Sequence, residues 1–363
     1  MGSQSDTLDK ASLPLRLAVL ISVLLLVGCQ SRSALDIGGR PAFMQRPSQS
    51  HIRVMTYNVG WDSIFQEEGL LDNLWRQESR AAAFVRIVRA IDPDVICLQE
   101  IDPARDPGQV AHILDEAIPL EDGMEWQVSR GQDNVIASRY QLVMRDQQLA
   151  YHGDIIDFGH AMAMVDLPDS EFPKDVYLIC AHFPALGGQK NIEARQQHAD
   201  VIVARIRDMR TPGGEIDLPE YTPFIVLGDF NVYYTDPSHH LTTLLIGDIL
   251  NEGTYGADIA PDWDGTDLSD ALPTHNADGK EFYTWRDDTS QFKPEVLDKI
   301  LYTDSVFTAP SGFVLDTTIM SAEELKAADL RSPDVMLKPD QGIVDHLPLV
   351  VDFKFRSSPQ QDQ

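Results

Sequence analysis

The sequence predicts an α/β (α+β) domain, in which strands buried on both faces are separated by amphipathic helices. Three observations carry this. Residues 224–232, Phe-Ile-Val-Leu-Gly-Asp-Phe-Asn-Val, run four apolar residues into a glycine and then into Asp229 and Asn231, the pattern of a strand covered on both sides that stops abruptly. The same apolar run with a polar tip recurs five more times along the chain. Between the runs lie two long segments, 78–92 and 191–209, whose apolar residues fall at helical spacing.

Composition sets the outer limits. A chain of 363 residues can bury a sizeable core, and 43% apolar with 24% charged residues is ordinary for a globular protein. The net charge of −28 is not ordinary. It argues against an extended basic surface for nucleic acid, because such binding rests on Lys and Arg neutralising phosphates. It leaves room for a local phosphate site built on a metal ion, whose charge can dominate its surroundings.

The N-terminal segment reads as an address. Lys10 and Arg16 precede an apolar run at 17–27 that is too short to span a bilayer comfortably and suits a signal peptide. It closes on Leu26-Val27-Gly28-Cys29, which resembles the bacterial lipobox. The resemblance implies an exported lipoprotein of the cell envelope: residues 1–28 removed, Cys29 lipidated and held at the membrane, 29–50 a polar tether, 51–355 the folded domain and 356–363 a tail. A plain secretory signal or a short anchor is the competing reading. Gln30 rather than Asp after the cysteine would fit outer-membrane sorting in a Gram-negative host. Cys97 and Cys180 lie inside apolar runs and are expected to be buried thiols.

In order, 51–57 alternates as a strand and ends at Asn58. Residues 78–92 form a helix with Ala82, Phe84, Val85, Ile87, Val88 and Ile91 on one face and Arg80, Arg86 and Arg89 mostly away from it; Pro93 ends it. Residues 94–98 are a buried strand tipped by Gln99 and Glu100. Short strands at 126–128 and 134–138 read as a hairpin around Gly131, with further strands at 148–152 and 160–167. The run 176–181 ends at His182, and 191–209 is the second helix. Residues 248–288 hold eleven acids against two bases without periodicity and read as a solvated, irregular excursion near the site. The acids at 262–267 do not have the spacing of an EF-hand calcium loop. Two last strands, 296–302 and 342–353, carry Asp298 and the pair Asp345-His346.

Alone, each tip has a plain explanation: a capping Asn, a surface Glu, a core His. Asp229 and Asn231 at i and i+2 are expected to point to one side in extended backbone. The set taken together, Met55-Thr-Tyr-Asn-Val, Leu98-Gln-Glu-Ile, Ala181-His-Phe, Leu227-Gly-Asp-Phe-Asn, Leu297-Asp-Lys-Ile-Leu and Val344-Asp-His-Leu-Pro, resembles the endonuclease/exonuclease/phosphatase superfamily. That superfamily includes deoxyribonuclease I, abasic-site endonucleases, neutral sphingomyelinases and inositol-polyphosphate 5-phosphatases. The resemblance spans residues 54–353 in the family's order. It implies a four-layer αββα sandwich of two mixed sheets, with the site at one sheet edge, and a metal-dependent phosphoester hydrolase, most readily a phosphodiesterase of nuclease type.

The resemblance also implies roles. Glu100, with Asn58 nearby and Asp345 contributing, would hold a divalent cation, Mg²⁺ or alternatively Mn²⁺. Asp298 would orient His346 for proton transfer. Asp229 and Asn231 would position the attacking water or phosphoryl oxygens, and His182 stands where the deoxyribonuclease-like branch has a second catalytic histidine. Asp133 is the candidate partner for His182. The chain departs from many secreted relatives in having no base shortly after that histidine; Lys190 is the first, and Arg139 and Arg195 are candidates for either phosphate contacts or ion pairs. Phosphomonoesterase and phospholipid phosphodiesterase are the alternative activities, and a catalytically silent binding protein is the alternative from another class.

Overall fold

The computed structural model describes residues 39–65, 78–121, 123–146, 159–233 and 239–357. Of the two units into which the chain divides, Met1–Ile37 lies outside the described residues, and the description below concerns Gly38–Gln363. The signal segment with Cys29, the first part of the tether (29–38), the strand expected at 148–152 and most of the tail thus lie outside them.

In chain order the strands are β1 (Ile52–Asn58), β2 (Val95–Gln99), β3 (Gln127–Arg130), β4 (Asn134–Ser138), β5 (Gln141–Asp146), β6 (Ala161–Asp166), β7 (Val176–His182), β8 (Phe224–Asp229), β9 (Ser269–Asp270), β10 (Trp285–Asp287), β11 (Asp298–Tyr302), β12 (Phe307–Val314), β13 (Ile343–His346) and β14 (Leu349–Phe355). The helices are α1 (Glu78–Ile91), α2 (Pro107–Ala117), α3 (Gln189–Arg210), α4 (His240–Ile246), α5 (Glu252–Tyr255) and α6 (Ala322–Ala328). One six-stranded sheet runs β12-β14-β1-β2-β4-β3, the other runs β5-β6-β7-β8-β11-β9, and β10 pairs with β13.

Each large sheet contains one parallel pair, β1 with β2 and β7 with β8, and is otherwise antiparallel. All residues of β1, β2 and β8 are buried, which is why their sequences run apolar instead of alternating. The strand period of two still shows in what each residue touches. From β7 and β8, Leu178, Cys180, Ile225 and Leu227 join the core between the sheets. Their neighbours Tyr177, Ile179, Phe224 and Val226 pack instead with Ala199, Ile202, Ile206 and Met209 of α3. Burying one such large apolar side chain contributes about 1.5–3 kcal/mol, so this two-sided packing fixes the register of both strands. The four layers are helix, sheet, sheet and helix.

The parallel pairs bring carboxyl ends together. Asn58 pairs with Gln99 at the ends of β1 and β2, and His182 with Asp229 at the ends of β7 and β8. Antiparallel neighbours add residues from their starts: Asp298 sits opposite Asp229, and Asn134, just after Asp133, sits opposite Gln99. Gly228 makes the close approach of β7 and β8 possible. Its φ is 138°, and a Cβ there would lie 1.9 Å from the Ala181 carbonyl oxygen.

Several sequence expectations change. The excursion 248–288 is not simply solvated: Ile249, Asp262, Leu268, His275 and Thr284 are buried. The Asp262 carboxylate accepts from the Ser305 and Trp263 amides and the Ser305 hydroxyl, tying the loop down. Arg80, expected off the apolar face of α1, is buried and donates to the Tyr57 hydroxyl and the Asp334 carbonyl. Arg139 pairs with Asp92, and the buried Arg195 donates to the Pro184 and Leu186 carbonyls. Their guanidinium groups are thus engaged in structure. Cys97 and Cys180 are buried free thiols.

Candidate active site

Two His–Asp pairs face one another across Asp229. On one side His346 donates from Nδ1 to Asp298 Oδ2 at 2.8 Å, and its Nε2 lies 3.5 Å from Asp229 Oδ2. On the other, His182 donates from Nδ1 to Asp133 Oδ2 at 2.7 Å, and its Nε2 lies 3.7 Å from the same Asp229 oxygen. The arrangement follows from topology, since His182 and Asp229 are register partners on the parallel pair and Asp298 is the antiparallel partner of Asp229.

The electrostatics favour charged rings. Burial alone would lower the His182 pKa, but the hydrogen bond to Asp133 and the charges of Asp229, Asp133 and Glu100 outweigh it and raise it to about 9. Burial likewise opposes charge on His346, and Asp298 and Asp229 again win, holding it well above the ordinary value. Burial also pushes the Asp298 carboxyl up, against the pull of His346 and the hydrogen bond between them. Both shifts favour the protonated ring, and both Nε2 atoms lie within 3.7 Å of Asp229 Oδ2.

Glu100 lies at the rim of this group. Its Oε1 accepts from Asn58 Nδ2 at 3.0 Å, its Oε2 from the Trp61 amide at 2.8 Å, and its Oε1 is 4.0 Å from His182 Nε2. Burial raises its pKa, with His182 and Asn58 opposing and Asp345 adding to the rise. Asp345 accepts from the Trp285 indole N–H at 2.9 Å. Glu100 and Asp345 line one pocket of about 300 Å³. A hard divalent cation, which the resemblance implies, fits this donor set: two carboxylates on one cavity, one of them penalised by burial for its uncompensated charge. A second group, Asp229, Asp298 and His346, has ligand atoms within 4.8 Å of one another. There the Asp298–His346 hydrogen bond already occupies one oxygen and one nitrogen.

Two expected roles change. Asn58 turns its amide nitrogen, not its oxygen, toward Glu100 and toward Asp229 Oδ2 at 3.1 Å, because Oδ1 accepts from the Gly60 amide. It links the two carboxylates. Asn231 is not extended: β8 stops at Asp229, and Asn231 has a φ of 49°. Its amide N–H donates to Asp229 Oδ1, its Nδ2 to the Phe183 carbonyl, and its Oδ1 accepts from Tyr233. Asn231 therefore braces Asp229 and the loop after His182.

Glu100 and Asp345 share this left-handed conformation, with φ of 62° and 67°. Such residues cost on the order of 1–3 kcal/mol each and persist where surrounding contacts hold them. Here the strain turns side chains at strand ends back into the site. Sequence reasoning missed Trp285 and Thr284, whose hydroxyl accepts from the Asp298 amide at 2.9 Å. The signal was the Tyr283-Thr-Trp triplet standing in an otherwise acidic stretch.

A model of the Endonuclease/Exonuclease/phosphatase family matches residues 55–322. No curated protein sequence matches the chain. Among solved structures, the catalytic domain of human Nocturnin with a bound sulfate anion is 18% identical, covers 87% of this chain and 100% of its own, and superposes with a TM-score of 0.50. ANGEL2, described as a 2′,3′-cyclic phosphatase, is 14% identical, with 84% of this chain and 95% of its own covered and a TM-score of 0.52. At these identities the likeness is one of fold.

Proposed function

Because the chain belongs to the endonuclease/exonuclease/phosphatase family, we propose that it is a metal-dependent phosphoester hydrolase acting on diesters. The observation that supports this most is the convergence of two carboxylate-oriented histidines on Asp229, at 3.5 and 3.7 Å. A symmetric pair of proton-bearing rings around one carboxylate suits a displacement at phosphorus, where one oxygen attacks as another leaves.

In this reading Asp229 Oδ2, fixed by the Asn58 amide, orients the attacking water. The Asp229 carboxylate takes the proton that the attacking water loses, while His182 and His346 each hold a proton at Nε2, one hydrogen-bonded to a phosphoryl oxygen and one passed to the leaving oxygen; Asp133 and Asp298 fix their tautomers. A divalent cation held by Glu100 and Asp345 would supply positive charge against the phosphoryl oxygens. Asn231 and Thr284 hold this frame in place. A diester, with one negative charge, asks less of the site than a monoester with two. Among the described residues no Lys or Arg lines the pocket beside Glu100, so beyond the two histidines and the cation no fixed base is there to offset the monoester's second charge.

Hydrolysis of bis-p-nitrophenyl phosphate beside p-nitrophenyl phosphate tests this, with Mg²⁺, Mn²⁺ or EDTA, for wild type and His346→Ala. Metal-dependent cleavage of the diester, lost in the variant, is expected. Preference for the monoester would make the protein a phosphatase, and turnover of neither would favour a silent binding protein. The lipobox at 26–29 further supports a place at the cell envelope; retention of a Cys29→Ala variant in the soluble fraction, with wild type sedimenting with membranes, is the expected outcome.

A further inference from the structure

Three buried carboxamides stand side by side across one sheet. Asn58 is the register partner of Gln99, and Gln99 of Asn134, so the three side chains leave β1, β2 and β4 on one face. That face is turned to the second sheet: Asn58 Nδ2 donates to Asp229 Oδ2 at 3.1 Å and Gln99 Nε2 to Cys180 Sγ at 3.2 Å. The third carboxamide, Asn134, reaches the carboxylate that orients His182.

Asn134 is 1% exposed, and its Nδ2 has two acceptors. It donates to Asp133 Oδ1 at 3.1 Å and to the Gly159 carbonyl at 3.3 Å. A carbonyl and a carboxylate only accept, which determines the orientation of the amide. The Gly159 carbonyl is itself fixed. It accepts from the Gln132 amide at 2.7 Å, and a Cβ on Gly131 would lie 2.1 Å from the same oxygen.

Asp133 needs such a fixture. It precedes β4 and its side chain is 25% exposed, so packing alone does not hold the carboxylate. Its Oδ2 accepts from His182 Nδ1 at 2.7 Å, and among the described residues the bond from Asn134 is the other one its carboxylate receives. Rotation of the carboxylate away from His182 would break both. The neutrality of the donor matters. A Lys or Arg in its place would also hold Asp133, but would offset the charge that favours a proton on the His182 ring. An amide holds the carboxylate without neutralising it, as Asn58 does for Asp229 and Glu100.

We infer that Asn134 is a positioning residue for the reaction: by holding Asp133 Oδ1 it keeps Oδ2 on His182 Nδ1, and so aims His182 Nε2 at the reacting phosphoryl group. The inference rests on the hydrolase reading for its effect on turnover, whereas the hydrogen-bonded series Asn134–Asp133–His182 can be measured without turnover.

Proton NMR of the full chain measures that series. An imidazole N–H held by a carboxylate gives a resolved downfield resonance, and the one missing from His182→Ala belongs to His182. It is expected in wild type and should be lost in Asn134→Ala. The resonance of the His346–Asp298 pair, identified by its loss in His346→Ala, should persist in Asn134→Ala and shows that the site is still folded. A His182 resonance that survives in Asn134→Ala, or is absent from wild type, overturns the inference. Loss of both resonances in Asn134→Ala overturns it too, by making the residue a general support of the fold.

Turnover gives the size of the effect. Asn134→Ala should lower kcat for bis-p-nitrophenyl phosphate about tenfold, with KM within about twofold, because a misaimed group costs rate without weakening binding. Asn134→Asp keeps the size but replaces the donor with a charge that repels Asp133, and should cost more than Asn134→Ala. In an Asp133→Asn background, Asn134→Ala should cost less than about twofold, since no carboxylate is left to hold. An equal cost in both backgrounds, or an Asn134→Asp variant as active as wild type, overturns the inference. A His182 resonance that depends on Asn134, in a protein that hydrolyses no diester, would keep the hydrogen-bonded series and remove the hydrolase.

Discussion

Asp133 and His182 are 49 residues apart in the chain and 2.7 Å apart in the site. Asp133 precedes β4 in one sheet and His182 ends β7 in the other, so the bond also joins the two sheets at the functional edge. Because Asp133 contributes both a hydrogen bond and a charge to the raised pKa of His182, Asp133→Asn should lower it. A group raised to about 9 keeps its proton below that pH and loses it above. The alkaline limb of kcat should therefore move to lower pH in Asp133→Asn, with a loss at pH 8 larger than at pH 6. An unmoved alkaline limb would separate His182 from proton transfer.

Asp298 acts through His346, so the two residues should behave as a unit. His346→Ala is expected to cost about 10²–10⁴-fold in kcat, and Asp298→Asn somewhat less. The double variant should be no worse than His346→Ala alone, because the orienting carboxylate has nothing left to orient. Multiplying losses would show that Asp298 has an independent role.

Glu100→Gln separates chemistry from stability. Burial disfavours the ionised form of Glu100, so a neutral isostere should leave Tm unchanged or slightly raised while metal binding, read by calorimetry, and activity fall by orders of magnitude. A fall in Tm matching the loss of activity would contradict the assigned role.

A stability change with pH is expected from a different place. His160 is buried against His198 and Phe183, with ring centroids 5.1 and 5.9 Å away, and neither of its nitrogens has a hydrogen-bond partner. Burial lowers its pKa to about 3. Between that pH and about 6.5 the unfolded chain binds a proton that the folded chain refuses, so stability rises with pH across this window. Its contribution is fully present above about 6.5 and is lost as pH falls through the window, by on the order of 5 kcal/mol. His160→Phe should flatten the urea-midpoint profile between pH 4 and 6.5; an unchanged slope would assign it to other groups.

Gly228→Ala should destabilise strongly. The added methyl meets a backbone carbonyl of the neighbouring strand at 1.9 Å, and the φ of 138° is one that alanine rarely adopts. A loss of about 3 kcal/mol or more is expected from urea unfolding. Activity per folded molecule should fall too, because parting β7 from β8 parts His182 from Asp229.

Much of this was legible in the chain. The apolar runs at 94–98, 176–181 and 224–229 could be read as buried strands because burial on both faces is a local demand on every residue of a strand. Helices α1 and α3 were legible from their spacing, but α2 and the shorter helices were not, since a few turns with mixed polarity give little periodicity. The strand expected at 148–152 lies outside the described residues, while the one observed is β5 at Gln141–Asp146. The excursion at 248–288 looked solvated because its acids dominate the composition. Composition does not reveal that the Asp262 carboxylate is satisfied by the Ser305 and Trp263 amides, nor that Trp285 reaches 60 residues along the chain to Asp345.

By itself, then, the sequence determined which residues reach the sheet edge: Asn58, Glu100, His182, Asp229, Asp298, Asp345 and His346 each follow, end or begin an apolar strand, and strand formation is governed by neighbours in the chain. The tertiary structure alone decided which atoms of those residues meet. Two parallel pairs bring four strand ends to one edge, and left-handed turns at Glu100, Asn231 and Asp345 re-aim what those ends carry. Thus Asn58 presents nitrogen to both carboxylates and Asn231 braces Asp229, while the Asp133–His182 pairing that the sequence suggested closes at 2.7 Å. Side-chain direction at a strand end depends on one backbone angle and on partners in the opposite sheet, and neither is encoded in local spacing.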